Sequence, residues 1–215
     1  MALCLALALG GGLFMSAPAR AATLRLAALG DSLTAGWGLP ASEAFPARLQ
    51  AALAEKGHDV TIANFGVSGD TTAGGLARLD GVLAAKPDGV LVELGANDML
   101  RGQAPEAAKA NLDAILSRLK AAGIPFMLCG MRSAKNYGSD YAAAFDAIYP
   151  ELAQKYGVEL YPFFLDGVTG QPGMTLPDGL HPTARGVEVV VARILPTVEM
   201  FVARLKAAPA AMAGQ

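Results

Sequence analysis

Five short, nearly continuous apolar runs, at 24–29, 60–65, 89–94, 125–129 and 158–161, alternate with longer stretches whose apolar residues recur at helical spacing, at 44–56, 72–85, 105–122 and 140–156. Runs that are apolar throughout, rather than at every second residue, belong to strands covered on both faces. Strands alternating with helices give a parallel sheet between helical layers. A last stretch, 183–206, sets Val187, Val190, Val191, Ile194, Val198, Phe201, Val202 and Leu205 on one helical face, with Pro196 expected to kink it. No internal repeat, low-complexity tract or linker interrupts the pattern, and 215 residues suffice for one domain with a full core. The reading is an α/β, doubly wound single domain.

Composition excludes several partners. The 17 Lys and Arg against 19 Asp and Glu leave a net charge of −2 with no basic cluster, which argues against nucleic acid. Cys4 and Cys129 are the only cysteines, too few for a disulfide framework or a thiolate zinc site. Residues 1–19 carry no charge and run through Leu3, Leu5, Leu7, Leu9, Leu13 and Phe14 to Ser16-Ala17-Pro18-Ala19-Arg20-Ala21. An apolar run followed by small-x-small is the pattern of a secretory signal peptide, here cleaved after Ala19 or Ala21, although the usual basic residues ahead of the run are missing. Three consecutive glycines at 10–12 and Pro18 make a poor spanning helix, so no stable membrane anchor is expected after processing. The expected organisation is a signal peptide over 1–21 and one domain over 22–215, in the periplasm or secreted, as a monomer. Cys129 is then a buried, inert thiol.

In doubly wound sheets, ligands bind beyond the carboxyl ends of the strands. Four turns fall there: Gly30-Asp31-Ser32-Leu33-Thr34, Gly66-Val67-Ser68-Gly69-Asp70-Thr71, Gly95-Ala96-Asn97-Asp98 and Asp178-Gly179-Leu180-His181-Pro182. Together they hold a hydroxyl nucleophile, a glycine N–H, a side-chain amide donor and a carboxylate three residues before an imidazole. Those are the parts acyl transfer requires. Of the two histidines, His58 precedes the second strand at the opposite end and reads as an exposed loop residue. His181 stands at the working end, where an imidazole can take a hydroxyl proton near neutral pH. Each residue has a plainer reading: Ser32 as a helix cap, Asn97 as a turn asparagine, Gly69 as a turn glycine, and Asp178-Gly179 as a turn before a capping His181. Asp31 adjoins Ser32, and adjacent side chains rarely aim at one point, so a structural hydrogen-bonding role suits it better.

Gly30-Asp31-Ser32-Leu33, Gly69, Gly95-x-Asn97-Asp98 and Asp178-x-x-His181-Pro182, in this order and spacing, resemble the four-block signature of the SGNH (GDSL) hydrolase family. Further stretches are similar to its multifunctional acyl-CoA thioesterase, lysophospholipase and arylesterase type: Gly74-x-Leu76-Ala77-Arg78-Leu79, Val92-Glu93-Leu94-Gly95, Leu100-Arg101-Gly102, Asn136-Tyr137-Gly138 and Ala144-Phe145-x-Ala147-Ile148-Tyr149-Pro150. The resemblance implies a flavodoxin-like three-layer α/β/α sandwich with a five-stranded parallel sheet. It also implies hydrolysis of small-molecule acyl esters and thioesters with no metal and no cofactor. It assigns Ser32 as nucleophile, His181 as base and Asp178 as its orienter, with the Ser32 and Gly69 N–H groups and the Asn97 amide as oxyanion hole. Trp37 stands where the family more often has tyrosine, and Ala96 where this type often has glycine; both bear on acyl preference.

The substrate groove is drawn from Met99 and Leu100 on one side and Met131, Phe163 and Met174 on the other, with core packing as the plainer reading for each. Gly36-x-Gly38-x-x-Ala41 matches a dinucleotide-binding pattern by letters only. It starts beyond the first strand, contains Pro40, and lacks an acidic residue at Asn64-Phe65. Leu33 occupies the place of the second carboxylate a phosphatase would use, and no G-x-S-x-G elbow exists. The competing readings are a carbohydrate or other deacetylase on the same scaffold and a non-catalytic binding module.

Overall fold

The computed structural model describes residues 23–212, so the expected signal peptide and Cys4 lie outside the described residues. Strands β1 (Leu24–Gly30), β2 (Val60–Gly66), β3 (Gly89–Glu93), β4 (Phe126–Cys129) and β5 (Leu160–Tyr161) form one sheet in the order β2-β1-β3-β4-β5. Every pairing is parallel, with Leu26 beside both Ile62 and Gly89, and Val92 beside Leu128. This is the flavodoxin-like order, with its switch point between β1 and β3.

Right-handed crossovers decide where the helices go. The chain leaves β1 through α1 (Ser32–Ala35) and α2 (Phe45–Glu55), and α2 packs against the terminal helix α8 (Ala184–Met212) on one face. The crossover from β2 to β3, through α3 (Thr72–Ala77) and α4 (Leu79–Ala84), reverses direction and takes the other face. There α3 meets α6 (Pro105–Ala121), which packs on α7 (Ser139–Tyr156). A one-turn helix, α5 (Ala96–Leu100), follows β3.

The interior shows why those strands read as apolar throughout. All five residues of β3 and all four of β4 are buried, and β1 is buried from Leu26 onward. The eight apolar residues expected on one face of the last helix are all buried, closing over Phe45 and Phe164 in one core. Gly89 lets that helix come close: a Cβ there would stand 2.7 Å from the Phe201 ring. Pro196 lies on the solvent face and the helix runs on through it, since a carbonyl freed there is hydrated. Cys129 is fully buried, and burial pushes its thiol well above the ordinary range.

One expected helix is two. The 72–85 stretch breaks at Arg78, whose backbone leaves the helical region at φ −106° and ψ 9°. Its guanidinium donates to the carbonyls of Phe65 and Gly30 and to Asp70, tying the ends of β2 and β1 together. Those tertiary bonds override the local helical pattern.

Candidate active site

The end of β1 delivers Ser32 to the first turn of α1. Asp31 caps that helix, its carboxylate accepting from the Leu33 N–H at 2.9 Å, and Ser32 is 9% exposed. Opposite it, the loop before α8 is pinned by backbone bonds from Leu176 to His181 and from Thr183 to Met174. Within it Asp178 accepts the N–H groups of Leu180 and His181 on one oxygen, at 2.9 and 3.0 Å, and meets His181 Nδ1 with the other at 2.6 Å. His181 Nε2 then lies 2.8 Å from Ser32 Oγ. One carboxylate thus holds the ring by backbone and side chain together. The hydrogen bond from His181, followed by the two N–H groups, holds Asp178 down to about 2, so it is a carboxylate across the working range.

The three expected oxyanion donors lie on turns that hydrogen bonds tie together. Ser32 N–H is a first-turn amide of α1, and Gly69 adopts φ +85°, a conformation glycine takes without steric cost. Among the described residues neither N–H donates to another group. The Asn97 amide is held from the α5 side and donates to the Asp70 carbonyl at 2.9 Å and to Asp31 at 3.1 Å. A hydroxyl on an imidazole that is itself held by a carboxylate can perform nucleophilic attack on a carbonyl.

The sequence model of the GDSL-like lipase/acylhydrolase family matches residues 28–189, from β1 into the terminal helix. The chain belongs to that family. Its relatives include an arylesterase of Vibrio mimicus, 45% identical over 170 residues, covering 79% of this chain and 85% of the relative. Esterase TesA of Pseudomonas aeruginosa is 41% identical over 181 residues, covering 84% and 90%. Among solved structures, the SGNH-hydrolase family esterase AlinE4 superposes with a TM-score of 0.72 at 46% identity, covering 84% of this chain and 97% of that one.

This GDSL-family site rests on a buried acidic floor that motif reading alone underplays. Asp98 is fully buried and takes the N–H and hydroxyl of Thr72 at 2.8 and 2.6 Å, fastening α5 to α3. Glu93, beside Gly30 in the sheet register, is 1% exposed and accepts from Thr34 in α1 at 2.7 Å, while its other oxygen has no partner among the described residues. Burial, then the neighbouring Asp31 charge, pushes Glu93 well above the carboxylate range, which favours its neutral form. Asp31, also fully buried, is pushed up to about 6 by burial. The signal for Glu93 was a lone acid ending an apolar strand, where only a protonated or well-bonded carboxyl can sit.

The residues drawn into the groove divide. Leu100 is exposed, and Met99 beside it is partly buried against the core. Phe163 is half-buried under the Arg132 guanidinium, 5.5 Å from its ring, and Met174 packs partly on the core below the His181 loop. Met131, 3% exposed, belongs to the core and offers a substrate no surface. Trp37 lies against His181, with ring centroids 5.7 Å apart. His58 is not the exposed loop residue expected: its side chain is 22% exposed, and its ring stands 3.2 Å from Glu199.

Proposed function

We propose that the protein hydrolyses carboxylic esters and acyl thioesters through an acyl-enzyme on Ser32. The observation that carries this reading is the unbroken chain from Ser32 Oγ through His181 to Asp178, at 2.8 and 2.6 Å. Ser32 Oγ attacks the carbonyl carbon as His181 Nε2 takes its proton, and Asp178 orients the ring and stabilises the imidazolium. The carbonyl oxygen becomes an oxyanion that receives the Ser32 and Gly69 N–H groups and the Asn97 amide, which exchanges its longer bond, the one to Asp31, for the new one. Collapse expels the alcohol or thiol, which leaves with the proton from His181. Water, deprotonated by the same ring, then releases the acid and restores Ser32.

Apolar residues about the site favour medium or long acyl chains over acetyl groups. The decisive experiment is a panel of acyl esters, acyl thioesters and acetylated polysaccharide, with Ser32→Ala as control and a serine-directed phosphonate as label. One adduct on Ser32 and activity on the first two classes support the reading. A sharp preference for acetylated polysaccharide replaces it with a deacetylase, and no adduct leaves a binding module. The same reading includes export, processing after Ala19 or Ala21, and a monomeric mature protein, checked by amino-terminal sequencing and by mass in solution. Among the described residues no helix is long and apolar enough to cross a membrane.

A further inference from the structure

Five large apolar side chains are exposed among the described residues, and four of them stand at the Ser32 end of the sheet. Trp37 is 54% exposed, Val67 43%, Leu100 42% and Leu180 44%, while Met200 lies away on α8. Backbone bonds fix where the four stand. Val67 N–H donates to Gly30 at the root of the Ser32 turn, and Trp37 N–H donates to Ser32 itself, both at 3.1 Å. Leu180 immediately precedes His181. The Leu100 carbonyl accepts the Tyr137 hydroxyl at 3.0 Å, and the next residue, Arg101, donates to the Gly69 carbonyl at 2.8 Å. The four stand on the turns after β1 and β2, at the end of α5 and on the loop before α8, an apolar collar on the Ser32 end of the sheet. Apolar residues grouped at one end, rather than scattered singly, mark a contact surface.

The charges beside the collar say what kind of contact. Its exposed cations, Arg101 and Arg132, form no ion pair among the described residues. Two carboxylates at this end are engaged, Asp70 by Arg78 and Asp178 by His181. An apolar collar with unpaired guanidinium groups at its margin matches the surface of an amphiphile assembly, acyl chains within and anionic headgroups outside.

We propose that this collar docks on the anionic surface of a lipid micelle or bilayer, so that an acyl ester enters the Ser32 site directly from the lipid phase. The docking half stands on the collar alone, and the entry half rests on the esterase reading above. A single acyl chain bound from solution would need one wall of the site to be apolar, whereas here exposed apolar residues stand on four separate turns.

Trp37 is the only tryptophan in the chain, so the collar contains its own reporter. The full chain carrying Ser32→Ala is titrated with phosphatidylcholine vesicles containing phosphatidylglycerol, with and without brominated acyl chains. The proposal expects a blue shift of Trp37 emission and quenching by the brominated lipid. It expects affinity to fall severalfold in Val67→Ser and about tenfold or more in a Val67→Ser, Leu180→Ser double variant. With Ser32 restored, Val67→Ser alone hydrolyses a soluble short-chain ester at the unmodified rate. Bulk co-sedimentation is not the readout, because residues 1–19 are apolar enough to partition by themselves. Emission unmoved by vesicles overturns docking. So does a monomeric fatty acid reproducing the whole shift, which would make the collar an acyl subsite, or burial of Trp37 by self-association without lipid. Hydrolysis of soluble esters without vesicle quenching sinks this inference alone; vesicle quenching without any hydrolysis spares docking and removes the esterase reading.

Discussion

Each end of the sheet carries a half-buried histidine beside a carboxylate, and the two are alike in almost everything but their third partner. At the carboxyl end His181 is 19% exposed and bonds Asp178; at the amino end His58 is 22% exposed and meets Glu199. The amino end also has a concavity, a cleft of about 380 Å³ whose walls include Ala47, Gln50, Ala51 and His58. The difference lies on the remaining ring nitrogen. His181 presents Nε2 to the Ser32 hydroxyl, a group that can give up a proton to it. His58 presents Nδ1 to the Lys206 ammonium at 3.2 Å, so that nitrogen accepts a bond already made and has no hydroxyl to activate. An imidazole–carboxylate pair and a cleft do not make a base; the nucleophile on the far nitrogen does.

The sharpest way to break this comparison is to remove each ring. We expect Ser32→Ala and His181→Ala each to lower kcat for a soluble ester by about 10⁴-fold or more, with His58→Ala within about twofold of the unmodified enzyme. Asp178→Asn should lose less than His181→Ala, because the base survives without its orienter. Comparable losses from the two histidine variants would end the distinction between the two ends.

Next in size is the donor side. Asn97→Ala is expected to lower kcat by about 10²–10³ with little change in KM, since an oxyanion exists only in the transition state. A raised KM with normal kcat would instead make Asn97 a binding residue. Because that side chain also ties Asp31 to the Asp70 carbonyl, thermal unfolding of the variant should be measured alongside.

The buried acids beneath Ser32 sharpen the comparison through stability. Asp31 is raised from 3.8 to about 6, so the folded state favours its protonated form. Its contribution to stability is therefore complete below about pH 4 and lost as pH rises through about 6, on the order of 2–3 kcal/mol in all. In urea unfolding, Asp31→Asn should remove most of the stability slope between those values; an unchanged slope would show that Asp31 is ionised throughout. Glu93→Gln, a neutral side chain of the same shape, should fold normally at pH 7. Glu93→Ala should cost about 2–4 kcal/mol, through the void and the stranded Thr34 hydroxyl.

Much of this was legible in the sequence because it depends on local pattern. Strand runs matched the observed strands within one residue at each end except at the start of β5, which pairs only from Leu160. The four turns could be assigned to one end because parallel topology leaves no other choice, and the Asp178-to-His181 spacing suits an Asx turn closing on its own ring. What escaped depends on partners distant in the chain. Arg78 leaves a helix to reach Gly30, 48 residues away, and Glu93 finds Thr34 across 59 residues. His58 is drawn in by Glu199, 141 residues on, which no loop composition announces. Met131 follows an apolar strand at the working end, but its side chain turns inward to the core, a direction that spacing alone does not give at a strand's end.

The smallest effect concerns the amino end itself. Glu199 is 34% exposed, so solvent screens its attraction to His58, and the long Lys206 side chain loses rotamer freedom in reaching the ring. His58→Ala should therefore change unfolding free energy by no more than about 1 kcal/mol, and raising salt should shrink even that. The two ends would then differ in kind. Ser32 gives His181 chemistry to perform, while His58 fastens the terminal helix beside β2 with a screened, dispensable bond. A loss of several kcal/mol, insensitive to salt, would mean that the amino-end histidine is a buried structural linchpin, and that its difference from His181 lies in packing as well as in the third partner.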